Sequence, residues 1–62
     1  MKAKVKWFNA AKGYGFAVLE DGREIFLHFT NLVGEKTLAT NQIIMVDLYE
    51  SPKGLEGKNI RV

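Results

Sequence analysis

The chain has 62 residues, with nine basic and seven acidic side chains, one histidine, no cysteine and a formal net charge of +2. This length predicts one domain with a small core, and the lack of cysteine excludes disulfides and thiolate metal sites. No apolar run approaches the roughly 18 residues of a membrane span, and lysines interrupt the N-terminal segment, so we expect a cytoplasmic protein without a signal peptide or membrane segment.

The first predicted strand covers residues 3–9 and places Val5 between two lysines. If both lysines face solvent, strict alternation of side chains buries Val5 and Trp7 and exposes Phe8. A β-bulge near residue 7 would instead turn Trp7 outward, beside Lys6. The alternation of residues leaves both arrangements open.

The second and third predicted strands cover residues 14–19 and 24–28, where aliphatic side chains alternate with rings. Because aliphatic side chains belong in a core, the aliphatic face of each strand is expected to point inward. The opposite face then points to solvent and carries Tyr14, Phe16, Phe26 and His28. Exposed apolar patches of this kind usually mark binding sites.

The hairpin loop between these two strands contains Gly22. A two-residue turn would pair Phe16 with Leu27, and so place a ring of the outer face opposite a core residue. A loop of odd length instead pairs Phe16 with His28 or with Phe26. We therefore predict a three- or five-residue loop with Gly22 at positive φ.

The second half of the chain predicts two further strands. Residues 29–41 form an irregular segment, in which Thr30-Asn31 is expected to cap a turn, and strands follow at 42–49 and about 58–62, separated by a turn at 51–54. Five short strands are too few for a sandwich, so closure into an antiparallel barrel is predicted. The predicted core consists of Val5, Ala17, Leu19, Ile25, Leu27, Leu32, Ile44, Val46, Leu48, Ile60 and Val62.

Positive charge is concentrated where the aromatic residues lie. Residues 1–19 carry four lysines and no acid, whereas residues 20–62 carry five bases and seven acids. Six of the seven aromatic residues lie between positions 7 and 29. Since rings stack on bases and lysines neutralise phosphates, this combination indicates binding of single-stranded nucleic acid. One histidine, one serine and no cysteine offer too few groups for a catalytic or metal site, so neither is expected.

Two stretches resemble the motifs of the bacterial-type cold-shock proteins. Lys4-Val5-Lys6-Trp7-Phe8-Asn9 followed by Lys12-Gly13-Tyr14-Gly15-Phe16 is similar to the opening and first ribonucleoprotein motif of that family, and Ile25-Phe26-Leu27-His28-Phe29-Thr30 is similar to the second. The resemblance covers about residues 2–62. It implies an all-β fold, a five-stranded antiparallel Greek-key barrel of the OB-fold class, that binds single-stranded RNA or DNA and often favours pyrimidines.

The resemblance also assigns site residues by position, and it favours the outward orientation of Trp7. Phe8 is kept among them, because either it or Trp7 is the outward ring of the first strand. The expected nucleic-acid contacts are Lys6, Trp7, Phe8, Lys12, Tyr14, Phe16, Phe26, His28, Phe29 and Lys53. The loop after Phe29 departs from the family, since it is about two residues short and lacks the aromatic residue often found there.

The sequence thus predicts a single domain over residues 1–62, a monomer without a cofactor, that binds single strands with low sequence specificity. Such a protein would act as a nucleic-acid chaperone, and so as a regulator of transcription or translation. The alternative is a small barrel that binds a peptide or a protein partner through the same rings. In that case the lysines are incidental and binding depends little on salt.

Overall fold

A computed structural model describes residues 1–34 and 37–62. Five strands and one 3-10 turn are formed by the described residues: β1 Lys2–Asn9, β2 Tyr14–Leu19, β3 Glu24–His28, the 3-10 turn Phe29–Asn31, β4 Ile43–Ser51 and β5 Gly54–Arg61. The first three strands agree with the predicted ones to within one residue. β5 begins four residues before the predicted start at residue 58, directly after the turn that joins it to β4.

The five strands close into a barrel in the order β1-β2-β3-β5-β4, and β4 pairs back onto β1. The predicted five-stranded barrel is confirmed. Neighbouring strands are antiparallel except β3 and β5, which pair in parallel at Phe26 and Glu56. A crossover segment and β4 lie between these two strands in the chain, and this long connection is what a parallel pairing requires.

Alternation along the strands builds the core as predicted, with a few differences. Val62 was predicted to be buried but is 60% exposed, because it follows the last residue of β5. Leu32 and Leu48 are partly buried and pack against the core. Ala3 and Leu38 are buried although they were not predicted. Leu38 lies in an irregular segment, where no periodic pattern indicates which side chains point inward.

The hairpin between β2 and β3 has the predicted odd-length loop. Phe16 pairs with Phe26, and the Leu19 amide donates to the Arg23 carbonyl at 2.8 Å. The Gly22 amide donates back to Leu19, and Gly22 has a φ of +92°. This register places the rings of β2 and β3 on one side of the sheet, facing away from the core.

Two further observations concern the shortened loop and the lack of a membrane-spanning helix among the described residues. Residues 35 and 36 belong to the loop that was predicted to be short, and they lie outside the described residues. Over the remainder of the chain, no helix has the length and apolar character that crossing a membrane requires.

Candidate nucleic-acid interface

A β-bulge in β1 decides which ring of this strand faces outward. Val5 pairs with Ala17, but the next pair in register joins Trp7 to Phe16, so Lys6 is an extra residue on β1. The bulge shifts the alternation by one position. Trp7 therefore lies on the outer face beside Phe16, and of the two arrangements left open by the sequence, the bulged one is confirmed.

Six rings form one continuous group on the outer face of β1, β2, β3 and the 3-10 turn. We call this group the aromatic cluster, and it consists of Trp7, Tyr14, Phe16, Phe26, His28 and Phe29. Neighbouring ring centroids are 4.8 to 6.2 Å apart, the range typical of packed aromatic pairs. Most of these rings are half-buried, whereas Phe29 is 55% exposed. The cluster thus offers several ring faces and edges to a ligand without leaving any ring unsupported.

The β1–β2 loop supports one end of the aromatic cluster. Asn9 accepts a hydrogen bond from the Lys12 amide through its side chain and another from the Gly13 amide through its carbonyl. The Gly13 carbonyl in turn accepts from the Phe29 amide at 2.8 Å. A Cβ atom on Gly13 would lie 2.5 Å from Phe29 Cδ1, so only glycine lets this ring lie against the loop. The same loop brings Lys12 to the end of the cluster where Phe29 is exposed.

Phe8 lies on the other side of the sheet. It pairs with Gly15, and its ring packs against the hydrophobic core. A Cβ atom on Gly15 would overlap the Trp7 carbonyl oxygen and would lie 2.7 Å from Phe8 Cα. Gly15 therefore permits the close approach of β1 that the bulge requires. Phe8, which was predicted as a contact residue, thus has its ring packed against the core and not in the aromatic cluster.

The lysines predicted to contact nucleic acid differ in their surroundings. Lys6 Nζ lies 2.9 Å from Glu24 Oε2, and both side chains are about half exposed. Lys12 and Lys53 form no ion pair with any described residue. The charge of Lys6 is thus partly compensated in the free protein, whereas those of Lys12 and Lys53 are available to an anionic ligand.

A groove of about 540 Å³ joins the aromatic cluster to the turn between β4 and β5. Its lining residues are Phe16, Glu24, Phe26, Ser51, Lys53, Gly54, Leu55 and Glu56. Ser51 holds the predicted turn, since its hydroxyl donates to the Gly54 carbonyl and accepts from the Lys53 amide. Lys53, far from the rings in sequence, is in this way brought beside them.

The sequence did not reveal the contribution of β5 to this groove. Leu55 and Glu56 line it because β5 begins at Gly54, whereas the predicted strand started at residue 58. The sequence signal for this earlier start of β5 was the predicted turn at 51–54, since a strand can begin directly after a turn. With Glu24 and Glu56 on its walls, the groove combines carboxylates, a lysine and two rings, so it can present both donors and acceptors to a base.

An ionic network lies away from the aromatic cluster, on β4 and β5. Asn59 Nδ2 donates to Asp47 Oδ2 at 2.8 Å, and Arg61 Nη2 lies 3.6 Å from Asp47 Oδ1. The hydrogen bond from Asn59, together with the charge of Arg61, holds the pKa of Asp47 below its ordinary value. The charges of Asp47 and Arg61 are thus paired with each other, unlike those of Lys12 and Lys53 at the aromatic cluster.

Comparison with known proteins agrees with this geometry. A family model described as the 'Cold-shock' DNA-binding domain matches residues 1–62. Cold shock protein CspB of Bacillus caldolyticus is 41% identical over 61 residues, which cover 95% of this chain and 92% of the relative. The Cold shock-like protein of Aquifex aeolicus is 44% identical over 64 residues, covering 98% of this chain and 91% of the relative. The chain therefore belongs to the cold-shock domain family.

Proposed function

We propose that this protein binds single-stranded RNA or DNA through the aromatic cluster, catalyses no reaction, and acts as a nucleic-acid chaperone. The observation that carries the proposal is the cluster itself: six adjoining rings held on an outer face, with lysines at its margins. Bases of any sequence have a π-face that stacks on such rings, so low sequence specificity follows. The description of the matching family as DNA-binding supports the same function.

The proposed contacts divide into stacking residues and cationic residues. The rings of the aromatic cluster stack on unpaired bases, each worth about 1–3 kcal/mol by alanine substitution. Lys12 and Lys53 neutralise phosphates at opposite margins of the cluster, and Lys6 joins them by exchanging its carboxylate partner, Glu24, for a phosphate. Phe8 contributes indirectly, by supporting β1 beneath Trp7.

Chaperone activity needs no energy source under this proposal. A protein that binds the open strand and not the duplex shifts the equilibrium between them by mass action. Unpaired regions of an RNA would then remain open for other factors, which is how the protein would influence transcription or translation. We also expect the protein to be a cytoplasmic monomer that favours pyrimidine-rich strands.

The proposal is tested by the fluorescence of Trp7, the single tryptophan of the chain. Stacking of a base on this indole should quench its emission when an oligo-dT or oligo-U heptamer is titrated at low salt. If Lys6, Lys12 and Lys53 each neutralise one phosphate, log Kd should change with log salt concentration with a slope of about 2 in magnitude, at roughly 0.7 per phosphate.

A matched charge variant sharpens this measurement. Lys12→Gln and Lys53→Gln should each reduce the slope by about 0.7, whereas Lys2→Gln should leave it unchanged. Lys2 begins β1, five residues before Trp7, and pairs with Met45 of β4. Quenching without salt dependence would contradict the proposed phosphate contacts of the lysines. A lack of quenching by any heptamer at low salt would contradict nucleic-acid binding and favour the peptide-binding alternative.

A further inference from the structure

The imidazole of His28 is fixed at one ring nitrogen. His28 ends β3 and caps the 3-10 turn Phe29–Asn31, with its side chain turned toward the start of that turn. Its Nδ1 lies 2.9 Å from Thr30 Oγ1 and 3.4 Å from the Thr30 backbone nitrogen. Over the described residues, no protein hydrogen bond reaches Nε2, the other ring nitrogen.

The backbone amide of Thr30 settles which groups donate in this arrangement. An amide N–H can only donate, so a hydrogen bond from Thr30 N requires an acceptor lone pair on Nδ1. The Thr30 hydroxyl can rotate and then also donates to Nδ1, so the two donors share its single lone pair, with the hydroxyl at the shorter distance. A neutral imidazole that accepts at Nδ1 carries its proton at Nε2. The ring therefore offers an N–H donor on the side away from Thr30.

We propose that Thr30 is a positioning residue that holds His28 in the neutral Nε2–H tautomer, so that the interface presents a hydrogen-bond donor to the edge of a base stacked on a neighbouring ring. His28 lies between Phe26 and Phe29 in the aromatic cluster, with ring centroids 6.2 and 4.8 Å away. Because the Nε2–H bond lies in the plane of the imidazole, its acceptor would be the edge of a base stacked on Phe26 or Phe29 and not the face of a base stacked on His28 itself. This inference rests on the proposed binding of single strands.

The tautomer determines the class of base that is favoured at this position. Thymine and uracil carry a carbonyl oxygen, O4, where adenine carries an amino group, so at that position the first two accept from Nε2–H and adenine cannot, although its ring nitrogens can accept. A ring with an N–H at Nε2 therefore favours thymine or uracil over adenine when the exocyclic group of the base is the atom that reaches it. In the other tautomer Nε2 would be an acceptor, and this preference would be lost or inverted.

The tautomer can be measured in the protein without ligand. In long-range ¹H–¹⁵N spectra recorded where the ring is neutral, the wild-type protein should show an unprotonated Nδ1 and a protonated Nε2. Thr30→Val keeps the shape of the side chain and the backbone amide but removes the hydroxyl 2.9 Å from Nδ1. Only the longer bond from the amide, at 3.4 Å, then favours the Nε2–H tautomer, so the Nδ1–H tautomer should become detectable. Thr30→Ser retains the hydroxyl and should restore the wild-type spectrum.

The affinities of the protein for two oligonucleotides supply a second test of the role of Thr30. The ratio of affinities for oligo-dT and oligo-dA heptamers should fall about two- to tenfold in Thr30→Val, the net effect of one hydrogen bond, and should recover in Thr30→Ser. A protonated Nδ1 in the wild-type spectrum would overturn the assignment, as would an unchanged tautomer and ratio in Thr30→Val. If neither heptamer binds, the proposed function fails, while the spectrum of the free protein still decides the role of Thr30.

Discussion

Trp7 and Phe8 are adjacent in β1 and therefore face opposite sides of the sheet, one in the aromatic cluster and the other against the core. One extra residue, Lys6, decides which of the two faces outward, because it shifts the alternation of β1 by a single position. Strand periodicity could not decide between the two rings, because a bulge depends on the backbone of the neighbouring strand as well as on the local sequence. At Tyr14, Phe16 and Phe26 no bulge intervenes, and alternation alone predicted their outward orientation correctly.

At this scale, the proposed stacking role predicts a loss of affinity without a loss of fold. Phe16→Ala should weaken binding of an oligo-dT heptamer by about 1–3 kcal/mol, which is roughly 5- to 150-fold in Kd. Phe16 contacts both Trp7 and Phe26 in the aromatic cluster, so its removal takes away a central platform. Isothermal titration calorimetry at fixed salt measures the change.

Tyr49 provides the matched control for this substitution. It is also an exposed aromatic residue of the barrel, but none of the ring pairs of the cluster includes it. Tyr49→Ala should leave the Kd within about twofold of the wild-type value. Equal losses in the two variants would mean that the cluster has no special role.

The Asp47 carboxylate leads to a prediction about acid. Its folded-state pKa lies below the ordinary value of 3.8, chiefly because Asn59 donates a hydrogen bond to it. Its contribution to stability is therefore fully present above pH 3.8 and is lost as the pH falls through the lowered pKa. Asn59→Gly suits the positive φ of 48° at this position and removes only the side chain.

NMR titration of Asp47 checks this prediction in both proteins. In Asn59→Gly the pKa of Asp47 should rise toward 3.8, and the corresponding loss of stability in acid should become smaller. The midpoints of urea unfolding between pH 2 and pH 5 report the second effect. An unchanged Asp47 titration would show that Arg61, rather than Asn59, is the main cause of the lowered pKa.

At the scale of the element, the path of β1 over β2 depends on Gly15. A Cβ atom there would overlap the Trp7 carbonyl oxygen, which belongs to the backbone and cannot turn aside. Gly15→Ala should therefore displace β1 and lower the free energy of unfolding by about 1–3 kcal/mol, the usual cost of an overpacked site. Urea denaturation followed by Trp7 fluorescence measures this loss.

Gly22→Asn is the control for the effect of removing a glycine. A Cβ atom at Gly22 meets no heavy atom within 4 Å, and asparagine tolerates the left-handed conformation of this loop. The free energy of unfolding should then change by no more than about 0.5 kcal/mol. A comparable loss in both variants would mean that close packing is not the reason for glycine at position 15.

Local patterns predicted the elements well where the pairing itself was local. The β2–β3 hairpin, its odd-length loop and Gly22 at positive φ all followed from which faces must match across two adjacent strands. The start of β5 and the burial of Leu38 did not follow, because they depend on partners elsewhere in the barrel. The groove lined by Leu55 and Glu56 was missed for the same reason.

At the scale of the whole molecule, the proposed chaperone activity links the stability of the protein to that of its ligand. Excess protein should lower the Tm of an RNA hairpin with a uridine-rich stem, since it binds the open strand and not the duplex. An oligo-U strand that forms no hairpin should raise the Tm of the protein. Ultraviolet melting and calorimetry measure the two shifts.

The variant Phe16→Ala again serves as the control, since it should show both shifts at reduced size. A hairpin whose Tm rises on addition of the wild-type protein would contradict the proposal. That result would mean that the protein binds the duplex more tightly than the open strand, and that the aromatic cluster does not act by stacking on unpaired bases.

We call the parallel pairing of β3 with β5 the seam of the barrel. Within residues 1–34 and 37–62, this seam consists of the Phe26–Glu56 pair and an isolated bridge between Leu32 and Ile60. Local opening is easiest where few backbone hydrogen bonds hold two strands together. Phe26 is also a central ring of the aromatic cluster, and Glu56 lines the groove beside it. A nucleic acid stacked on Phe26 and held by Lys53 would therefore lie across the seam and add stability where, among the described residues, the fewest residue pairs in register join two neighbouring strands.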